Sequence, residues 1–146
     1  MKQYPESLKL ENQLCFPLYV ASKEIVRKYK PILDKYGITY TQYIVLMALW
    51  EYGTQSVKEL GERLYLDSGT LTPLIKKLEK KELLKRSKNE EDERIVFVSL
   101  TNKGKAFQDE AIKIPLEISS CVKLSEEEAK TLYNLLYKTI GGFSNE

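Results

Sequence analysis

The chain has 146 residues, 42% hydrophobic and 30% charged, the balance of one globular domain with a core of its own rather than of a disordered or fibrous chain. It has two cysteines and no histidine, which excludes Ser–His–Asp and Cys–His catalysis, imidazole metal sites, a histidine phosphorelay and a four-ligand zinc cluster. Lys and Arg total 23 against 21 Asp and Glu, a net charge of +2, but between Arg63 and Lys88 eight basic residues face three acidic ones, so that segment is +5 and the remainder −3. Such a stretch is either a phosphate footprint or a solvated helix face. The first residues lack the apolar h-region of a signal peptide, and no apolar run approaches the roughly 18 residues of a membrane span. The expectation is a cytoplasmic protein with no membrane partner and no metal, in which Cys15 and Cys121 rest as thiols.

Helical spacing of Leu14, Leu18, Ile25, Ile32 and Leu33 predicts one long helix over residues 8–36, bent at Pro17 and Pro31 and stopped at Gly37. Residues 41–52 read as a second, mostly buried helix ended by Gly53. Ser56 and Glu59 form a capping-box pattern that opens a short helix over 56–64, with Val57, Leu60 and Leu64 inward. Another helix begins in the segment 66–72 and runs to Lys80 on an apolar stripe of Leu71, Leu74, Ile75 and Leu78, with Pro73 near its start. The period then changes. Leu83–Ser87 and Arg94–Leu100 read as two strands joined by a polar tip. Thr101 caps a helix over 101–120 that kinks near Pro115, and Ser125 with Glu128 opens a last helix over 125–141, stopped by Gly141–Gly142. The fold class is therefore mainly α with a small β-hairpin wing, a winged helix-turn-helix.

In that arrangement the second of the two short helices enters the DNA major groove, and its first residues touch base edges. Here that end carries Asp67, Ser68, Thr70 and Thr72, whose small polar groups either approach double-stranded DNA closely or simply cap the helix. Lys76 and Lys77 follow one to two turns later, within reach of phosphate or a guanine edge. The hairpin tip is acidic, but Arg94 follows it. An arginine there enters a narrow minor groove, oriented by Asp92, or else the two form a plain surface salt bridge.

The stretch LYLDSGTLTPLIKKLEKK over 64–81, Glu91–Asp–Glu–Arg94, Leu100–Thr–Asn–Lys–Gly104 and Asn12–Gln–Leu–Cys–Phe16 together resemble the MarR family of winged-helix repressors, and within it the organic-hydroperoxide-sensing (OhrR) branch. The resemblance implies a homodimer on an inverted-repeat operator, with residues 1–37 and 101–146 as dimerisation helices and 38–100 as the DNA-binding region of a single domain. It also implies that Cys15 is the redox sensor, with organic hydroperoxides as effector and no cofactor. Tyr19 lies on the helix face of Cys15, four residues on. Tyr29 is fourteen residues on, about 21 Å along a helix, so it reaches only the sulfur of a partner whose first helix runs antiparallel. A phenol donates to a thiolate and favours the charged sulfur; the resemblance assigns that duty to Tyr19 and Tyr29 and places Tyr40 nearby. Cys121 stands where one subset of the family has a cysteine that resolves the oxidised sulfur into an intersubunit disulfide. Two other readings remain at this stage: a repressor released by a small phenolic or aromatic ligand, with Cys15 as plain packing, and a thiol peroxidase, which would need a cation such as Arg27 brought across the dimer.

Overall fold

A computed structural model describes residues 3–143. The chain does not begin with a long helix. Two 3-10 turns, Glu6–Leu8 and Leu10–Asn12, come first, folded back by side-chain amides: Asn12 Nδ2 donates to the Glu6 carbonyl at 2.7 Å, and Gln13 Nε2 donates to those of Ser7 and Lys9 at 2.8 Å. The first α-helix, α1 (Cys15–Asp34), therefore starts at Cys15. Pro17 falls in its opening turn, where its missing N–H is one of the four unpaired anyway, so it begins the helix rather than interrupting it.

Helix α2 (Tyr40–Tyr52) is opened by a reciprocal cap: Thr39 Oγ1 accepts from the Gln42 amide and Gln42 Oε1 accepts from that of Thr39. A two-residue strand, β1 (Gln55–Ser56), precedes α3 (Val57–Leu64). Ser56 Oγ caps the Glu59 amide at 3.1 Å, but the return bond expected of a capping box is not made, because the Ser56 backbone is engaged in the sheet. Tyr65 takes a left-handed conformation (φ 57°) and the Leu66 amide closes onto the Gly61 carbonyl at 2.9 Å. A Cβ at Gly61 would stand 2.7 Å from the Leu66 carbonyl oxygen, so glycine there lets the helix-turn-helix turn close.

Asp67 is the cap of α4 (Ser68–Lys80). The helix thus starts early enough that Pro73 lies in its second turn rather than at its start. Strands β2 (Leu84–Lys88) and β3 (Val96–Leu100) pair antiparallel with Leu84 opposite Leu100 and Lys88 opposite Val96, and β1 adds to the other edge of β3, so the sheet order is β1-β3-β2. Two residues are too few for a periodicity signal, which is why the third strand was not foreseen.

The helix expected over 101–120 is two: α5 (Asn102–Ala111), capped by Thr101, and α6 (Ile114–Ser119), with Pro115 in its first turn. Helix α7 (Glu126–Phe143) opens with the predicted capping box between Ser125 and Glu128 and continues through Gly141 and Gly142 instead of stopping there.

The core gathers Leu46 and Leu49 of α2, Leu60 of α3, Leu71, Ile75 and Leu78 of α4, and Leu84 and Val98 of the sheet, sealed by Leu33 and Ile114. Trp50 Nε1 donates to the Gly104 carbonyl at 2.9 Å, tying α2 to α5. No described residue of α7 is buried, although Leu132, Tyr133, Leu135, Leu136 and Tyr137 line it, and Leu8, Leu10 and Leu14 are equally uncovered at the other end of the chain. A helix with such an apolar stripe requires a partner surface. No described helix is long and apolar enough to cross a membrane.

Candidate nucleic-acid interface and sulfur sensor

The front of the molecule is built by α3, α4 and the wing. Asp67 Oδ1 accepts from the Thr70 amide at 2.7 Å, and that bond holds its carboxyl below the usual carboxylate range. Its geometry is that of a cap. Ser68 and Thr70 are exposed beside it, and Lys76 and Lys77 project from the same helix into solvent. Thr72 is half-buried and lines, with Ser56, Ile75, Arg86 and Arg94, a groove of about 510 Å³ between the helices and the wing.

At the wing tip Asn89 Oδ1 accepts from the Glu91 and Asp92 amides, at 2.7 and 3.2 Å, forming the turn. Arg94 Nε and Nη2 donate to the two oxygens of Asp92 at 3.0 and 3.1 Å, and the Arg94 amide adds a third bond. The guanidinium is 91% exposed yet held by a fork. The same pairing keeps the Asp92 carboxyl below its ordinary range. The predicted Asp92–Arg94 pair is thus formed, on the side of the molecule that carries Thr72.

Two members of the basic segment do other work. Arg86 Nε and Nη2 donate to Glu79 Oε1 at 3.2 and 2.9 Å while the Arg86 amide donates to Oε2. Glu79 therefore braces α4 against β2. Arg63 stacks over the Tyr52 ring at 3.5 Å and donates to Gln55 Oε1 at 3.0 Å, fixing α3 to α2 and β1. The sequence offered these as charges alone. Glu79 and Arg86 are seven residues apart across a helix end and a strand start, a separation with no local pattern to reveal it.

The sulfur lies elsewhere. Cys15 is the first residue of α1 and is exposed. No side chain caps this helix, so its opening N–H groups and the positive end of its dipole are free to face an anion. Phe16 and Leu18 are partly exposed next to it. Tyr19 stands one turn on and is also exposed, with Lys23 Nζ 5.6 Å above its ring. Tyr29 is not near this sulfur. It packs into a tyrosine cluster, 4.8 Å from Tyr40 and 6.0 Å from Tyr43 between ring centroids, with α1 unbroken for the fourteen residues between Cys15 and Tyr29. Burial raises all three phenols, Tyr43 to about 12, so each keeps its proton and remains a donor at physiological pH. Tyr43 was read only as core; its place three residues after Tyr40, one helical turn, is the signal that was available. Cys121 is exposed in the turn after α6. Among the described residues no three His, Cys, Asp or Glu side chains gather as a metal site.

Two short helices with a tight turn, followed by a wing that bears a braced arginine, define a winged-helix transcriptional regulator. A family model for the transcriptional regulators SarA/Rot matches residues 27–111. A relative from Bacillus subtilis (strain 168), named an organic hydroperoxide resistance transcriptional regulator, is 51% identical over 132 residues, 90% of each chain. The regulator SarZ of Staphylococcus aureus (strain USA300) is 48% identical over 133 residues, 91% of this chain and 90% of its own. Among solved structures, AbfR of Staphylococcus epidermidis, reduced and bound to DNA, superposes with a TM-score of 0.78 at 37% identity, covering 94% of this chain and 96% of its own. Its disulfide form gives a TM-score of 0.65 at 36% identity over 97% and 96%. The chain belongs to the SarA/Rot family of MarR-like winged-helix transcriptional regulators.

Proposed function

We propose that this protein is a homodimeric repressor of the cytoplasm that occupies an inverted-repeat operator in its reduced form and releases it when an organic hydroperoxide oxidises Cys15. The observation that carries this reading is an exposed thiol at the uncapped N-terminus of α1, on an arm whose apolar face is uncovered, in a chain that also bears a complete winged reading head. The names of the Bacillus relative and of the AbfR structures, reduced on DNA and disulfide-linked, support it.

The dimer is formed by residues 1–37 and 101–146, which cover the stripe on α7 and the turns before Cys15, while residues 38–100 read DNA. Ser68, Thr70 and Thr72 approach the bases, with Asp67 holding their helix end. Lys76, Lys77 and the Asp92–Arg94 pair meet the backbone and minor groove. Two such heads must stand about 34 Å apart to dock together. Arg94→Ala is expected to weaken operator binding and to reduce the slope of log K against log salt by about one; an unchanged slope in a salt titration would leave the wing as scaffold.

The chemistry starts from the anionic sulfur. The Cys15 thiolate attacks the terminal oxygen of the peroxide, the O–O bond breaks, the alkoxide leaves to take a proton, and the sulfur becomes a sulfenic acid. The Cys121 thiol of the partner then displaces water and closes a disulfide, which demands Cα atoms within about 7 Å and so draws the helices with it. Tyr19, and Tyr29 from across the dimer with Tyr40 beside it, donate to the sulfur. Tyr29→Phe is expected to slow iodoacetamide labelling of Cys15 at neutral pH severalfold; an unchanged rate-versus-pH curve removes the phenol from the sensor.

The test is an operator shift assay run beside a non-reducing gel. Cumene hydroperoxide should free the wild-type protein from its operator and yield a covalent dimer, and Cys121→Ser should yield none. Oxidised wild-type protein that stays bound would overturn the proposal.

A further inference from the structure

On the side of the domain where α1 ends, a groove of about 610 Å³ opens between three elements that the function above treats separately. Lys35 caps α1, Lys81 caps α4, and Lys103, Phe107 and Glu110 come from α5; Tyr36 completes the floor. Tyr36 and Phe107 meet edge to face, with centroids 5.2 Å apart. Lys35 is paired with Glu117 at 3.3 Å. Lys103 Nζ donates to the Lys81 carbonyl at 3.1 Å, and Lys81 Nζ rests against Gly37 in the α1–α2 turn. Each ammonium thus has its position set by one neighbour and keeps further N–H donors. Among the described residues neither Lys81 nor Lys103 has a carboxylate within ion-pair distance, Glu110 at the rim included.

We propose that this groove binds a small aromatic phosphate monoester. Two uncompensated ammonium groups match a dianion, and a phosphate monoester carries close to two negative charges at neutral pH where a carboxylate carries one. The Tyr36–Phe107 floor takes a flat ring in the same edge or offset geometry the two rings already use. The volume is that of a small-molecule site. A ligand held there joins α1 to the C-terminal end of α4, and so reports to the reading head by a route that does not pass through the sulfur.

The experiment is calorimetric titration of the full-length protein with phenyl phosphate in a phosphate-free buffer. One molecule per chain should bind, equally in Cys15→Ser. Lys81→Gln combined with Lys103→Gln should weaken binding at least about tenfold. Since Lys103 also serves the end of α4, Ala106→Glu, which places a carboxylate in the groove and leaves both lysines intact, should weaken it as much. Benzyl alcohol should not bind. Unchanged affinity in both variants overturns the proposal. So does inorganic phosphate binding as tightly as phenyl phosphate, which removes the aromatic floor from the site, and so does displacement of phenyl phosphate by operator DNA, which makes the groove a backbone contact.

Discussion

Cys15→Ser should hold its operator as tightly as the wild-type protein and keep holding it when cumene hydroperoxide is added, at concentrations more than about a hundredfold above those that release the wild type. The hydroxyl replaces the thiol almost isosterically, but it is not a sulfur that peroxide oxidises, and it stays un-ionised at neutral pH. The site is exposed at the start of a helix, so the exchange removes no core packing. Serine is also a favoured residue at helix starts, so α1 should not fray. The measurement is a shift assay across a peroxide series. Release of the variant at wild-type levels would move the sensor elsewhere in the chain, and Cys121 would then be the remaining sulfur.

A second large effect is expected far from both sites. Gly104→Ala should lower stability by about 3 kcal/mol, more than a surface change and at the upper end of overpacking costs. A Cβ on residue 104 would lie 2.0 Å from the Leu83 carbonyl oxygen and 3.0 Å from its carbon. The obstacle is main chain, which no rotamer change moves aside. The backbone would have to part where β2 begins, and the Trp50 bond to the Gly104 carbonyl would go with it. For a chain of this size the melting midpoint should fall by roughly 6–12 °C. Thermal unfolding followed by circular dichroism checks this; a midpoint within a degree or two of the wild type would mean that α5 slides along the sheet without cost.

Most of the fold could be read from the residues because periodicity and caps agreed. The stripe Leu71, Leu74, Ile75, Leu78 marked the recognition helix, and the Ser125–Glu128 box marked the start of α7. What escaped detection had physical reasons. The opening of α1 was placed too early because Leu8 and Leu10 keep an apolar rhythm, while the amides of Asn12 and Gln13 fold that segment into 3-10 turns instead. Gly141 and Gly142 were read as a stop, but a pair of glycines weakens a helix without forbidding it. At the candidate site the Asp92–Arg94 pair was legible, being two residues apart. The Glu79–Arg86 brace and the Tyr43 ring were not, because one joins different elements and the other sits in a segment apolar on every side. Cys15 with Tyr19 was legible from one helical turn; the neighbourhood of Tyr29 depended on α2, which only folding brings beside it.

The three bonds between Arg86 and Glu79 make the recognition helix and the hairpin mechanically one body. A strain arriving from the dimer arms cannot retract the hairpin while leaving the helix seated. Each half-site is therefore surrendered whole, and the contacts that read sequence vanish in the same event as those that only sense charge. Operator release should then be abrupt, with no lingering, salt-sensitive association in which the lobe clings to phosphate after it has ceased to recognise the bases.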